Sequence, residues 1–124
     1  MSSRFLASAI AVLVFSSVSA AADTVPLRSQ SIKSLFSGQF EARVMGYKLR
    51  FSAYRSGKLV GQAFGREDQG KWFVKDDRLC VIWRQWTKGK PKCGAVSKQG
   101  KWYVASDAKG KMLSFRPVSV LASN

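Results

Sequence analysis

The chain after position 38 repeats one pattern, in which short segments of alternating apolar and polar residues are separated by residues that favour turns. Residues 40–44 and 49–53 alternate in this way, with the period of a half-buried β-strand. Turn signals such as residues 55–58, Arg-Ser-Gly-Lys, recur about every ten residues. The pattern predicts an all-β antiparallel meander of about seven strands, or eight if residues 24–27 add one at the edge, closing as a barrel or a tight sandwich.

The amino terminus has the layout of a secretory signal. Residues 1–4 are short and positive, residues 5–18 are apolar apart from serines, and residues 18–20, Val-Ser-Ala, suit a signal peptidase. The apolar run is shorter than the ~20 residues that cross a bilayer. We therefore expect a cleaved signal over residues 1–20, or 1–22 if cleavage follows Ala22. The processed chain is then periplasmic or secreted, with no transmembrane segment.

About a hundred residues remain after cleavage, enough for one domain with one core. Ile32, Leu35 and Phe36 have helical spacing, which predicts one or two helical turns within residues 29–37. We assign residues 21–38 to an amino-terminal segment with this helix, residues 39–118 to the β domain, and residues 119–124 to a tail.

The two cysteines, Cys80 and Cys93, are expected to form a disulfide, because an exported chain folds in an oxidising compartment. A metal site or a reactive thiol is the alternative, but the chain has no histidine to serve as a base or a mixed zinc ligand. If Cys80 lies opposite Cys93, Trp83 pairs with Lys90 and residues 84–89 form a loop. A tighter turn centred on residues 88–90 would put the cysteines out of register.

The formal net charge of +14 points to anionic partners, although charge alone also promotes solubility. One cluster of candidate ligand-binding residues lies between the cysteines: Arg84, Trp86, Lys88, Lys90 and Lys92. A second runs along the outward face of the early strands: Arg43, Lys48 and Arg50. Outward charges also prevent edge pairing of strands, so this second cluster is the weaker of the two.

The tryptophans divide into two groups. Trp72, Trp83 and Trp102 sit at alternating positions among apolar residues and are expected in the core. Trp86 has two interpretations. Its ring is either exposed for stacking on a ligand, or folded back over the open end of the barrel with the neighbouring lysines solvated.

Nothing in the chain predicts catalysis. All the carboxylates except Glu41 lie at the amino terminus or in predicted turns, and the pairs 67–68 and 76–77 are interpreted as turn formers. The sequence has no phosphate-binding glycine loop and no serine with a histidine partner. We therefore expect no enzymatic activity, no metal and no cofactor.

Several short motifs lie between residues 32 and 115: Leu35-Phe36-Ser37-Gly38, Gly57 before Leu59-Val60-Gly61, Gly70-Lys71-Trp72, Asp77-Arg78-Leu79-Cys80, Trp83, Cys93 and Gly100-Lys101-Trp102-Tyr103. Together they resemble a domain-of-unknown-function family of small exported proteobacterial proteins. The resemblance implies export, a disulfide and a β-fold, and it implies no activity.

Two classes of function follow. The first is a binding module for anionic polymers or surfaces, such as lipopolysaccharide, acidic polysaccharide or peptidoglycan, with nucleic acid less favoured. The alternative is a protein-interaction module, an inhibitor or a host-directed factor, that inserts the Cys80–Cys93 hairpin into a partner. A lipocalin-like carrier of an apolar ligand is disfavoured, because side chains are expected to fill the interior of so small a barrel.

Overall fold

The computed structural model describes residues 11–13 and 25–118, in which eight antiparallel strands form a closed barrel. Each strand pairs with its neighbour in sequence, and the last pairs with the first. The strands are β1 Gly38–Val44, β2 Tyr47–Ala53, β3 Lys58–Ala63, β4 Arg66–Lys75, β5 Arg78–Trp83, β6 Pro91–Gln99, β7 Trp102–Asp107 and β8 Gly110–Pro117. The predicted all-β meander is confirmed as a barrel.

Some predictions fall wholly or mostly on residues outside the described ranges. The predicted signal over residues 1–20 lies outside the described ranges except for residues 11–13. The predicted tail over residues 119–124 lies wholly outside them. No strand forms over residues 25–27, so the edge strand expected there is absent from the described residues. All eight strands come from residues 38–117.

One short helix, α1 (Ser29–Leu35), confirms the helical turns predicted from Ile32, Leu35 and Phe36. Ile32 and Phe36 are fully buried. At the start of the helix, the Asp77 carboxylate accepts hydrogen bonds from the Ser29 N–H at 2.7 Å and the Ser29 hydroxyl at 2.8 Å. These hydrogen bonds lower the pKa of Asp77. Since Asp77 lies in the β4–β5 turn, the helix covers the end of the barrel that carries this turn, which we call the closed end.

An aromatic cluster fills the closed end of the barrel. The ring of Phe36 lies 5.3 Å from Phe40, 5.4 Å from Phe51 and 5.4 Å from Phe115, measured between centroids. Trp72 meets the Phe36 ring edge-on, and its indole N–H donates to the Tyr54 carbonyl at 2.8 Å. These large apolar rings, buried together, supply much of the apolar surface that stabilises so small a domain.

The register of the cysteine hairpin agrees with the longer-loop prediction. Cys80 lies opposite Cys93 and the two form a disulfide. Strand β5 ends at Trp83 and β6 begins at Pro91, so residues 84–90 form the loop between them. A disulfide of this kind fits a periplasmic or secreted protein. Within residues 11–13 and 25–118, no helix is long and apolar enough to cross a membrane.

Two expectations about the strands are wrong. Glu67 and Asp68 do not form a turn: they lie in β4, and the chain reverses at residues 64–65. Trp102 does not lie in the core either. Its neighbour Tyr103 pairs with the buried Phe115, so the pleat places Trp102 on the outer face of the barrel.

Candidate functional site

The outer surface of β1, β2 and β8 carries a cluster of cations around the side chain of Trp102. Arg43 lies opposite Lys48, and Glu41 lies opposite both Arg50 and Arg116. Residues that alternate with these, such as Phe40 and Ala42, are buried inside the barrel. The pleat therefore turns the charged side chains outward together. Arg66 begins β4 opposite Ala63 and lines the same part of the surface. We call this set the basic outer face: Arg43, Lys48, Arg50, Arg66, Arg116 and Trp102.

Two guanidinium groups contact the Trp102 ring. The Cζ atom of Arg116 lies 4.6 Å from the ring centroid, and that of Arg43 lies 4.9 Å from it. Such contacts combine cation–π attraction with stacking of the planar guanidinium. They explain how a half-buried tryptophan is accommodated outside the barrel, and they hold two arginines close together.

Glu41 fixes one of these arginines. Its Oε2 atom accepts hydrogen bonds from Nε and Nη2 of Arg116, each at 2.7 Å. The hydrogen bond from Arg116 is the main cause that lowers the pKa of Glu41, and the positive charges of Arg116, Arg50 and Lys48 lower it further. Glu41 thus orients Arg116 and neutralises one charge, while the other cations of the face have no hydrogen bond or ion pair to a carboxylate among the described residues.

The basic outer face lines a depression of about 690 Å³. Five cations and two carboxylates line it, the carboxylates being those of Glu41 and Glu67. An anion that entered the depression would meet several guanidinium groups, which match phosphate, sulfate and carboxylate oxygens in geometry. Arg43, Lys48 and Arg50 were predicted here from the sequence, whereas Arg66, Arg116 and Trp102 were not. Alternation within residues 111–118 could have placed Arg116 outward.

The cations of the loop do not come together at one place. Arg84 lines a separate depression with Lys58 and Lys71, on the outside of β3, β4 and β5. Lys88 and Lys90 are exposed on the loop. Lys92 lies opposite the buried Val81 and lines the opening of the barrel. Of the two predicted clusters, the structure brings together the one on the early strands.

Trp86 adopts the second of its two predicted placements, folded back over the end of the barrel opposite α1, which we call the open end. Its ring centroid lies 4.6 Å from that of Trp83. It also covers Gly61, where an added Cβ would lie 2.7 Å from two atoms of the Trp86 ring. The residue remains 36% exposed. Its ring therefore packs against the barrel and is still partly exposed to solvent.

The loop is bonded to the barrel by Asp68, which the sequence predicted only as part of a turn. The Asp68 carboxylate is 3% exposed and accepts hydrogen bonds from three backbone N–H groups. These belong to Gln69 at 2.9 Å, Gln85 at 3.0 Å and Trp86 at 2.9 Å. Thr87 adds a second attachment, because its hydroxyl bonds both the N–H and the carbonyl of Trp83. The loop is consequently held against the strands.

Among residues 11–13 and 25–118, no group of three or more histidine, cysteine, aspartate or glutamate side chains could hold a metal ion. Comparison of the chain with protein-family models, with curated proteins and with solved structures finds no match. The resemblance to small exported proteobacterial proteins stays a prediction.

Proposed function

We propose that this chain is an exported, non-enzymatic binding module for anionic polymers or surfaces, and that the basic outer face is its contact surface. Lipopolysaccharide, acidic polysaccharide and peptidoglycan are the ligands that suit an exported protein. The observation that carries the proposal is the gathering of five cations in one depression around Trp102, with Glu41 engaged by Arg116.

The charge of the whole molecule supports the same conclusion. A formal charge of +14 over 124 residues attracts polyanions at distances up to a Debye length, about 8–10 Å at moderate salt. Long-range attraction brings a polyanion to the protein, and the arginines of the basic outer face then form short, charge-assisted hydrogen bonds with its oxygens. The fixed positions of Arg43 and Arg116 on Trp102 reduce the side-chain entropy that binding would otherwise cost.

The alternative of a protein partner that takes up the Cys80–Cys93 hairpin has less support. Asp68 and Thr87 bond the loop back onto the barrel, so it does not present a free hairpin tip. The predicted loop cations Lys88 and Lys90 can extend the attraction to a polyanion from the open end.

The test is a salt titration of binding to lipopolysaccharide, an acidic polysaccharide and DNA. Each phosphate contact contributes about one unit to the slope of log affinity against log salt. The triple variant Arg43→Ser, Lys48→Ser, Arg50→Ser should lower that slope by roughly three. The matched control is Lys58→Ser, Lys71→Ser, Lys75→Ser, which removes the same charge from the outer faces of β3 and β4.

The expected result is that the first triple variant weakens binding well beyond the control triple. Equal losses in the two variants would assign binding to net charge alone and would contradict a specific contact surface. Negligible affinity of the wild-type protein for all three polymers at low salt would overturn the proposed function.

A further inference from the structure

The open end of the barrel contains a cavity of about 410 Å³, which we call the barrel cavity. Its wall includes the buried side chains of Phe51, Val81, Trp83 and Leu113, and it reaches Phe36 from the closed end. The volume falls within the range of about 300–1,000 Å³ that is usual for small-molecule sites. Side chains therefore fill the closed end of the barrel and leave the open end hollow, contrary to the expectation of a filled interior.

Exposed apolar side chains surround the opening of this cavity. Met45 is 92% exposed, Phe64 is 75% exposed and Tyr47 is 57% exposed, and all three line the cavity with Trp86. The rings of Tyr47 and Phe64 contact each other at 5.2 Å between centroids. Several large apolar groups gathered at one end of a small domain are typical of a binding surface.

Met45 and Phe64 occupy these exposed positions at a conformational cost. Each is the first residue of a two-residue turn and has a left-handed backbone, with φ of 51° and 55°. Asparagine, aspartate or glycine is preferred there, and the β4–β5 turn at the closed end does use Asp76 and Asp77. Large apolar residues that are both strained and exposed indicate a role in contact with a ligand.

The barrel cavity adjoins the basic outer face where β2 and β3 stop pairing, a place that we call the β2–β3 gap. The pairing of these strands ends where Arg50 lies opposite Gln62. Beyond this pair, Leu49 and Ala63 line both the cavity and the outer depression, as does Phe64. An apolar chamber and a cationic surface thus share one edge.

The charges around the two openings differ. Among the residues that line the barrel cavity, the charged side chains are Lys92 and Asp107, and the Asp107 carboxylate accepts a hydrogen bond from the Lys109 N–H. The gap opens instead beside Lys48, Arg50 and Arg66 of the basic outer face. A ligand with an apolar chain and an anionic head therefore fits the gap with each part in a matching environment.

We propose that the ligand of the basic outer face carries a hydrocarbon chain, and that this chain enters the barrel cavity at the β2–β3 gap while its anionic head binds Lys48, Arg50 and Arg66. This inference rests on the proposed function, because it uses the same cations for the head group. It defines the ligand as an anionic amphiphile, either free or as a lipid of an anionic surface.

The experiment compares dodecyl phosphate, below its micelle concentration, with butyl phosphate by calorimetry and by the fluorescence of the cavity tryptophans Trp83 and Trp86. Each CH₂ that enters the cavity should raise affinity about fourfold, so the long chain should bind at least about a hundredfold more tightly. Dodecyltrimethylammonium, which has the same hydrocarbon chain and a cationic head, tests whether the head group must be anionic. Vesicles of phosphatidylglycerol and of phosphatidylcholine test a membrane as the source of the chain.

The informative variant is Phe64→Asn, because asparagine accepts the left-handed backbone while it removes the apolar ring. We expect about a tenfold loss of affinity for dodecyl phosphate or phosphatidylglycerol vesicles and no loss of thermal stability. The affinity for an acidic polysaccharide should fall much less, because Phe64 lines the outer depression as well but carries no charge. Asp76→Asn is the matched control, since it changes the equivalent position of a turn at the closed end and should alter neither affinity.

The outcomes separate this inference from the proposed function. If dodecyl phosphate binds no more tightly than butyl phosphate, or if Phe64→Asn has no effect, the chain does not enter the cavity, even where the polysaccharide still binds. If dodecyltrimethylammonium binds as tightly as dodecyl phosphate, the anionic head group is refuted. Failure of the polysaccharide and of both phosphates would refute the proposed function itself. Binding that Phe64→Asn weakens supports the proposal. If only dodecyl phosphate binds in this way, the ligand is a free amphiphile, and if only the vesicles bind, it is a lipid of a membrane surface.

Discussion

The buried carboxylate of Asp68 accepts a hydrogen bond from the backbone N–H of Trp86, eighteen positions along the chain, at 2.9 Å. Asp68 belongs to β4 and Trp86 to the loop between the two cysteines, so this bond joins the wall of the barrel to the loop that covers its open end. Gly61 lies opposite Asp68 on β3 and leaves room for the Trp86 ring. The carboxylate of Asp68 and the absence of a side chain at Gly61 together position the loop.

Replacing Asp68 should release the loop. In Asp68→Ala, three backbone N–H groups lose their side-chain acceptor, and we expect the free energy of unfolding to fall by about 2–3 kcal/mol. Urea denaturation measures this loss. Acrylamide quenching should rise as Trp86 becomes more exposed, and that rise should vanish in a Trp86→Phe background. Glu67→Gln is the control on the outward face of the same strand and should leave both measurements unchanged.

Adding a methyl group at Gly61 should displace Trp86. The new Cβ would lie 2.7 Å from Trp86 ring atoms and 2.8 Å from the Trp83 ring, so we expect Gly61→Ala to cost about 1–3 kcal/mol of stability. Part of this cost should disappear in the double variant with Trp86→Ala, which a double-mutant cycle measures. Gly94→Ala meets the backbone of Ser106 instead, so Trp86→Ala should not relieve it. Additive effects of Gly61→Ala and Trp86→Ala would contradict the contact.

Loss of the Cys80–Cys93 disulfide should destabilise the barrel without changing strand register. The bond joins residues thirteen positions apart, and a loop of that size corresponds to about 3 kcal/mol on the chain-entropy view. The measurement is the free energy of unfolding of a Cys80→Ala, Cys93→Ala variant. A reductant should bring the wild-type protein close to this value and should not affect the variant. Equal stability of the oxidised protein and the variant would show that the disulfide contributes nothing.

The Glu41–Arg116 pair should make stability depend on pH in the acid range. The pKa of Glu41 is lower in the folded protein than its ordinary value of 4.5, chiefly because of the hydrogen bond from Arg116. The pair therefore contributes stability above that pH and loses it as the pH falls through the lowered pKa. Because both side chains are more than a third exposed, we expect only about 0.2–1 kcal/mol.

Glu41→Gln tests this pH dependence. Its deficit in stability relative to the wild type should be present near neutral pH and should shrink below the ordinary glutamate pKa. A deficit that stays constant through the acid range would mean that the charge of Glu41 is not what stabilises the pair.

Alternation and turn signals in the sequence were enough to predict the antiparallel meander and its disulfide, but they left open a barrel or a sandwich and misplaced the turn between β3 and β4. Alternation of apolar and polar residues is a local consequence of the pleat, and turn chemistry is local as well, so both can be read from neighbouring residues. The register of Cys80 with Cys93 followed because a disulfide between adjacent antiparallel strands requires the cysteines to lie opposite each other. The short helix followed from the spacing of Ile32, Leu35 and Phe36.

Which rings lie inside the barrel, and what space they leave, depends on contacts between residues that are distant in sequence. Trp102 and Trp83 have similar apolar neighbours in sequence, yet one lies outside between two arginines and the other lies inside. Tyr103 pairs with Phe115, and the closure of β8 onto β1 places Phe115 inside the barrel, so the outward position of Trp102 depends on pairing between residues that are distant in sequence. The cavity likewise depends on side chains from many strands and on where β2 and β3 stop pairing. These side chains come together only when the barrel closes.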